Sequence, residues 1–277
     1  MGAASHGLAP RARPAPRGPD PKGTTMSDAT TAEPPAPAQQ DQPEYDPTDW
    51  TPVIERAFFA RMLQLLGSWA ATAWPQPVDE LVRHRLAALD TQIEPLVANA
   101  MDAANARFTA LAVAAYDILQ PVCGSIKAAA IVEDCLNSPL REDLLAGTRG
   151  MLDHAADPFT ALVAASKQRE RSYFGPSFRF ERPVDDDETY VLDVRRCLFH
   201  EVLVAAGRGE LQPILCRFDL NWADAIEPSR HRLRFVRPVT FASGATCRML
   251  FTREEHLSSL VTKPADAAST PQASAAG

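Results

Sequence analysis

The sequence predicts an α+β fold, with a helical amino-terminal half packed on a small, mainly antiparallel carboxy-terminal sheet with two helices. Three observations carry this. Between Val53 and Arg171 apolar residues recur at helical spacing. At Gly175-Pro176 the period changes to alternation, with Phe178 and Phe180 set against Arg179 and Glu181. The 24 prolines are spread unevenly and crowd the ends of the 277-residue chain.

Residues 1–48 and 263–277 are rich in Ala, Pro, Ser and Thr and poor in large apolar side chains, so they read as disordered tails. Met26 reads as an alternative start. Between the tails lie a helical region, 49–172, and a mixed region, 173–258, that holds the chemistry-bearing residues. An apolar content of 45% is ordinary for a globular chain, and what remains between the tails is enough for a sizeable core.

Asp46 or Thr48 is a candidate cap for a first helix through Val53, Phe58, Met62, Leu65 and Leu66, broken by Pro75 and Pro77. A second helix starts at Val78, with Leu81, Leu86, Leu89 and Ile93 inward. A third runs from Met101 to Leu119 and is ended by Pro121. Two more cover Ile126–Leu136 and Leu140–His154, and Asp157-Pro158 opens another that runs to Arg171. Strands follow through Phe178–Phe180 and Tyr190–Val194, with the acidic stretch Val184–Glu188 as the turn between them. A helix from Cys197 to Gly207 and a long one from Glu210 to Ile226 come next. A hairpin closes the region, with Leu233, Phe235, Arg237, Val239 and Phe241 on one face, a turn at Ser243-Gly244, then Cys247, Met249 and Phe251.

A net charge of −7 argues against a nucleic-acid partner. No apolar run is long enough to span a bilayer, and no apolar stretch follows the basic residues at the start. Five cysteines without regular spacing fit reduced thiols in a cytoplasm better than a disulfide framework. The sequence points to a small-molecule substrate, with no membrane or nucleic acid, and it does not disclose the oligomeric state. The glycine-rich, nucleophile-elbow and metalloprotease motifs are missing, so no cofactor is expected.

Cys216-x-x-Asp219 places a thiol and a carboxylate one helical turn apart. A carboxylate orients a cationic amidine through paired hydrogen bonds while a thiolate or water attacks its carbon. On spacing alone, a buried cysteine beside a surface aspartate is the plainer account. Cys197-x-x-His200-Glu201 puts a thiol, an imidazole and a carboxylate at a helix start, where the thiol pKa should fall. These three read as a nucleophile–base pair, as metal ligands, or as a helix-start cysteine beside a solvent-facing histidine. Cys197, Cys216 and Cys247 with Asp219 or His200 form a conceivable zinc shell, but no close Cys pair supports it. Arg237 on an apolar face demands a partner. Cys123 and Cys135 sit among apolar residues and read as packing.

Taken together, Tyr173-Phe174-Gly175, Arg196-Cys197-Leu198-Phe199-His200, Cys216-Arg217-Phe218-Asp219 with Trp222, Phe235-Val236-Arg237-Pro238-Val239-Thr240 and Gly244 leading to Cys247 resemble the L-2-amino-thiazoline-4-carboxylic acid hydrolase family. The resemblance runs from about Asp157 to Arg253. One position departs from the family pattern: Arg248 stands where an acidic residue follows the last cysteine, on a side that should face away from Cys247. The resemblance implies a hydrolase that opens a cyclic isothiourea or amidine acid to an N-carbamoyl amino acid. It implies Cys216, Asp219 and His200 as catalytic residues, with Asp219 holding the amidine and Cys216 attacking or steering water. Arg237 would take the substrate carboxylate, and Cys197, Cys247 and Trp222 would line the pocket. Two rival readings of the residues are a non-catalytic small-molecule binding module and a zinc-stabilised structural protein.

Overall fold

The computed structural model describes residues 47–254, with side chains from Trp50 onward. The expected tails lie outside the described residues, as does the Asp46 cap, except that Pro47 and Thr48 already belong to the first helix. That helix, α1, spans Pro47–Leu66. It ends earlier than Pro75, at Gly67, whose positive φ of 52° is a backbone shape glycine adopts cheaply. A short α2, Trp69–Ala73, precedes α3, Val78–Ile93. Val78, Val82, Leu86, Leu89 and Ile93 form the buried stripe of α3, where Val82 takes the place expected of the half-exposed Leu81.

The Asn99 side chain caps α4, Ala100–Cys123, by accepting the Asp102 backbone N–H. Pro121 does not end α4. It sits in the last turn, where it costs one ladder hydrogen bond, and the helix stops at Gly124. Ala106, Phe108, Ala110, Leu111, Ala112, Val113, Ala114, Ala115 and Leu119 are all essentially shut off from solvent. A helix apolar on nearly every side belongs at the centre of a bundle, and α4 packs against α1, α3 and the helix that follows it. Each fully buried Leu or Phe here stabilises the fold by about 1.5–3 kcal/mol.

After α5, Ser125–Asn137, and α6, Arg141–His154, comes α7, Pro158–Ser172. Asp157 caps α7 as the sequence suggests, accepting from Phe159 and Thr160 N–H. The sheet contains β1, Arg179–Asp185, and β2, Thr189–Arg196, then β3, Leu233–Val239, and β4, Cys247–Arg253. Its order is β1-β2-β4-β3 and every pairing is antiparallel. β2 is central and buried on both faces between Tyr190 and Val194, rather than half-exposed as its alternation suggests. The polar member of that run, Asp193, is buried because Arg248 of β4 covers it.

Between β2 and β3 lie α8, Leu198–Ala205, and α9, Gln212–Phe218. The long helix expected over Glu210–Ile226 is therefore broken. It holds a 3-10 turn at Gly209–Leu211, then α9, then a second 3-10 turn at Ala223–Ala225. A short α10, Pro228–His231, which the sequence reading lacks, leads into β3 through Arg232 at φ 52°. Among the described residues no helix is long and apolar enough to cross a membrane.

Two apolar cores result. One gathers α1 and α3–α5 with Leu198, Phe199, Val202 and Leu203 of α8 and Ile214 and Leu215 of α9. The other gathers the inner face of the sheet with Leu152 of α6 and Phe159 and Leu162 of α7. Cys197 and Phe180 pack against both. The two-core arrangement makes the ground beside Cys197 a seam.

Candidate functional site

Side chains from four elements converge on that seam. Cys197 is the N-cap of α8, Cys216 is near the end of α9, Asp219 is its C-cap, and Arg237 and Cys247 come from β3 and β4. Asp219 lies at the helix end rather than mid-helix, yet its N–H still reaches the Leu215 carbonyl, so it stays one turn from Cys216. The break that follows lets the Trp222 indole N–H donate to the Asp219 carbonyl at 2.8 Å. It also turns Trp222 away from the helical core onto Phe235 and Phe251 of the sheet.

A bulge aims Arg237. Val236 pairs with Leu250 but Val239 pairs with Arg248, so Arg237 and Pro238 together face one residue of β4. Arg237 thus stays on the inner face while Val239 moves to the outer face beside Arg248, contrary to its expected place next to Phe235. The Arg237 side chain is only 9% exposed. Its Nε donates to Cys247 Sγ at 3.0 Å, one terminal nitrogen donates to the Cys216 carbonyl at 2.9 Å, and the other lies 3.5 Å from Asp219. The partner that an arginine on this face requires is therefore present several times over. Those donors are turned inward, toward the protein's own sulfur, carbonyl and carboxylate. Burial works against the Arg237 charge, but Asp219 and the two sulfurs outweigh it and hold the guanidinium above its ordinary pKa.

The three thiols differ. Burial pushes Cys197 up to about 12, and the backbone N–H of His200 offsets only part of this. The low pKa expected of a helix-start thiol is thus reversed, because desolvation exceeds what the first turn of an eight-residue helix supplies. Burial also pushes Cys247 up, to about 11, although the Arg237 guanidinium pulls the other way. Cys216 keeps partial exposure, whereas Cys247 is buried.

His200 does not touch Cys216 directly. Its Nδ1 lies 2.8 Å from the amide oxygen of Gln212, and the Gln212 amide nitrogen donates to Cys216 Sγ at 3.3 Å. An amide oxygen only accepts, so Nδ1 carries the proton in this arrangement. The imidazole stacks on Phe241 at 4.9 Å. Glu201 leaves this group and pairs with Arg196, so the expected Cys197-His200-Glu201 face divides.

Two residues of the site escape the sequence reading. Gln212 is buried and stands four positions before Cys216, the spacing that puts both on one helical face. Arg169, in the last turn of α7, lies 3.6 Å from the second oxygen of Asp219. Its only early signal is its place just before Tyr173-Phe174-Gly175. Arg248 faces away, as expected. It forms a two-pronged pair with Asp193 at 2.6 and 2.7 Å on the outer side of the sheet and holds that carboxyl below its usual range.

Among the described residues no group of three or more His, Cys, Asp and Glu side chains is arranged to hold a metal ion. A guanidinium lies between Cys247 and Asp219 instead. A shallow concavity of about 540 Å³ lies elsewhere, between α1, α3 and α4, and lacks these groups. The cluster sets a carboxylate and a partly exposed thiol one helical turn apart, with Arg237 linking them to Cys247. The model of the L-2-amino-thiazoline-4-carboxylic acid hydrolase family matches residues 104–251, more than half of the chain. The match begins in α4, well before the Asp157 where the sequence resemblance begins. No curated protein and no solved structure matches. The chain belongs to the L-2-amino-thiazoline-4-carboxylic acid hydrolase family.

Proposed function

We propose that the protein opens a small cyclic amidine or isothiourea acid, such as L-2-amino-thiazoline-4-carboxylate, to an N-carbamoyl amino acid, working on free substrate in a reducing cytoplasm. The observation that carries this reading is the convergence of Cys216, Asp219 and Arg237 on one seam in a chain of this family. In the proposed route the amidine nitrogens of the ring pair with Asp219, which places the carbon between sulfur and nitrogen beside Cys216. The Cys216 thiolate adds to that carbon. The ring carbon–sulfur bond breaks, its electron pair stays on sulfur, and sulfur takes a proton. Water then adds to the same carbon, the Cys216 thiolate leaves, and a urea carbonyl remains. The sum is one water added across the carbon–sulfur bond.

Partial exposure favours Cys216 over the buried Cys247 as the attacking thiol, and the rise of Cys197 to about 12 counts against that partly exposed thiol. Arg237 has a positioning role, holding Cys247 and Asp219 in register. Gln212 fixes the Cys216 thiol and the His200 tautomer. His200, with its second ring nitrogen uncommitted by that tautomer, relays protons.

Mass spectrometry of the purified protein with L-2-amino-thiazoline-4-carboxylate, run beside Asp219→Asn, tests the reading. The expected result is a product heavier by one water and a loss of at least about a hundredfold in kcat/KM for the variant. Unchanged kcat/KM in Asp219→Asn would remove the amidine clamp, and saturable binding without turnover would turn the reading to a binding module.

A further inference from the structure

Arg169 is held in an unusual state. Its guanidinium carbon stands 5.8 Å from the Trp222 ring, 5.6 Å from Tyr173 and 5.9 Å from Phe174, so three aromatic rings orient it. Its side chain is 34% exposed, and its ion-pair contact, to Asp219 at 3.6 Å, is longer than a hydrogen bond. Among the described residues the guanidinium has no hydrogen-bond acceptor for its five donors. Asp219 is at the same time shared with the buried Arg237. Two cations therefore share one carboxylate, which leaves an excess of positive charge there.

The next residue keeps Arg169 from turning away. Glu170 is nearly fully buried, accepts the Tyr190 hydroxyl at 2.8 Å and pairs with Arg182, which ties the last turn of α7 to β1 and β2. The turn after the helix is fixed as well. The Tyr173 carbonyl accepts from Asn105 of α4, and Gly175 lies so close to the Asp102 carboxylate that a side chain there would collide with it. The rings that orient Arg169 are consequently held from both cores.

We propose that Arg169 is the residue that binds the substrate's carboxylate and so determines specificity for an acid over a neutral ring. The proposal rests on the reading of the site as one for a cyclic amidine acid. In such a five-membered ring the amidine carbon and the carbon bearing the carboxylate are separated by a single nitrogen. Asp219 and Arg169 present opposite charges at matching close range, with the amidine toward Asp219 and the carboxylate toward the open donors of Arg169. Arg237 is only 9% exposed and directs its Nε and one terminal nitrogen to Cys247 and the Cys216 carbonyl, so it offers a less accessible fork than Arg169.

The test uses Arg169→Ala and Arg169→Lys in the full chain, each checked for folding by circular dichroism. Two readouts run in parallel. The first is steady-state kinetics on L-2-amino-thiazoline-4-carboxylate and on the carboxyl-free ring 2-amino-2-thiazoline. The second is calorimetric binding of L-thiazolidine-4-carboxylate against thiazolidine, which requires no turnover. Both variants should raise KM for the acid about 10- to 100-fold with kcat within a few-fold, and weaken the thiazolidine acid to match. The carboxyl-free rings should change far less, by at most about fivefold, since they lose only the 3.6 Å contact of Arg169 to Asp219. Equal losses on acid and neutral rings, or acid KM and affinity unchanged in both variants, would overturn the proposal. Arg169-dependent binding of the thiazolidine acid without wild-type turnover would retain the carboxylate site and defeat the hydrolase reading. Wild-type protein that does not bind the thiazolidine acid would defeat the carboxylate site, whatever its turnover.

Discussion

The helical core and the seam beside the sheet are built from the same stock of residues but treat arginine and sulfur differently. In the helical half arginines stay near the surface. Arg61 pairs with Asp134 with both side chains about one-third exposed, and Arg107 pairs with Glu55 and Asp90 at the rim of a groove. The buried thiol there, Cys135, is pushed up to about 12 chiefly by burial, and among the described residues no arginine hydrogen-bonds its sulfur. At the seam Arg237 goes inside and takes its partners with it, and one of them is the Cys247 thiol. Surface pairs of the first kind contribute about 0–1 kcal/mol. A buried cation of the second kind needs an opposite charge and well-placed hydrogen bonds. A protein that merely needed to fold could have filled Arg237's place with an apolar side chain. The buried arginine is what sets the seam apart from the helical core.

The sharpest challenge to that contrast is to remove one arginine from each region. Arg237→Met should cost about 3 kcal/mol in urea unfolding, since it takes the donor from the Cys216 carbonyl and leaves Asp219 to Arg169 alone, whereas Arg61→Met should cost less than about 1 kcal/mol. Similar losses in the two variants would erase the distinction. A smaller effect is expected where α4 meets the turn before β1. A Cβ on Gly175 would collide with the Asp102 carboxylate, a group that also accepts the Ser177 and Ala98 N–H. Gly175→Ala should therefore destabilise by about 1–3 kcal/mol. The same change at Gly147, with open space around it, serves as the control.

The thiols give a pH-dependent version. Cys197 and Cys247 are raised to about 12 and about 11 from an ordinary value near 9. Above pH 9 the unfolded chain releases these protons while the folded chain keeps them. The thiols' contribution is thus full below pH 9 and lost as pH rises through 11 to 12. Every tenfold loss of acidity on folding corresponds to about 1.4 kcal/mol, an upper bound for groups so strongly desolvated. Denaturant midpoints between pH 8.5 and 11 should fall less steeply in Cys197→Ala and Cys247→Ala than in the native chain. The smallest effect is at Asp157, which caps α7 and pairs with Arg253, so that its carboxyl is held well below the usual range. A depressed carboxyl stabilises above its unfolded pKa near 4 and loses that contribution as pH falls. Asp157→Ala should cost about 1 kcal/mol at pH 7 and less at pH 3.

Much of the fold is legible in the sequence because it depends on short-range patterns. The α3 start at Val78, the Asp157-Pro158 helix start and the change of period at Gly175 are local signals, and each is where the sequence places it. Where the sequence and the structure differ, tertiary context prevails. Pro121 reads as a stop, but in a last turn it gives up only one hydrogen bond. Glu210–Ile226 carries one apolar stripe, yet its two ends serve different cores: Ile214 and Leu215 face the helices while Trp222 faces the sheet. The helix breaks between them. For the site, the thiols, Asp219 and Arg237 stand out in the sequence because their residue types are suggestive at close spacing. Arg169 and Gln212 are invisible there for the opposite reason. An arginine in a polar helix end and a glutamine on a helix start are ordinary until the fold brings them to Asp219 and Cys216.

If the seam is a hydrolytic site, Cys216 is its nucleophile. The decisive experiment is turnover of L-2-amino-thiazoline-4-carboxylate by the purified protein beside Cys216→Ala, with Cys135→Ala as the control from the helical core. Turnover is expected from the native chain and from Cys135→Ala, with a loss of at least about a thousandfold in kcat for Cys216→Ala. Undiminished turnover in Cys216→Ala, or none by the native chain, would refute that assignment.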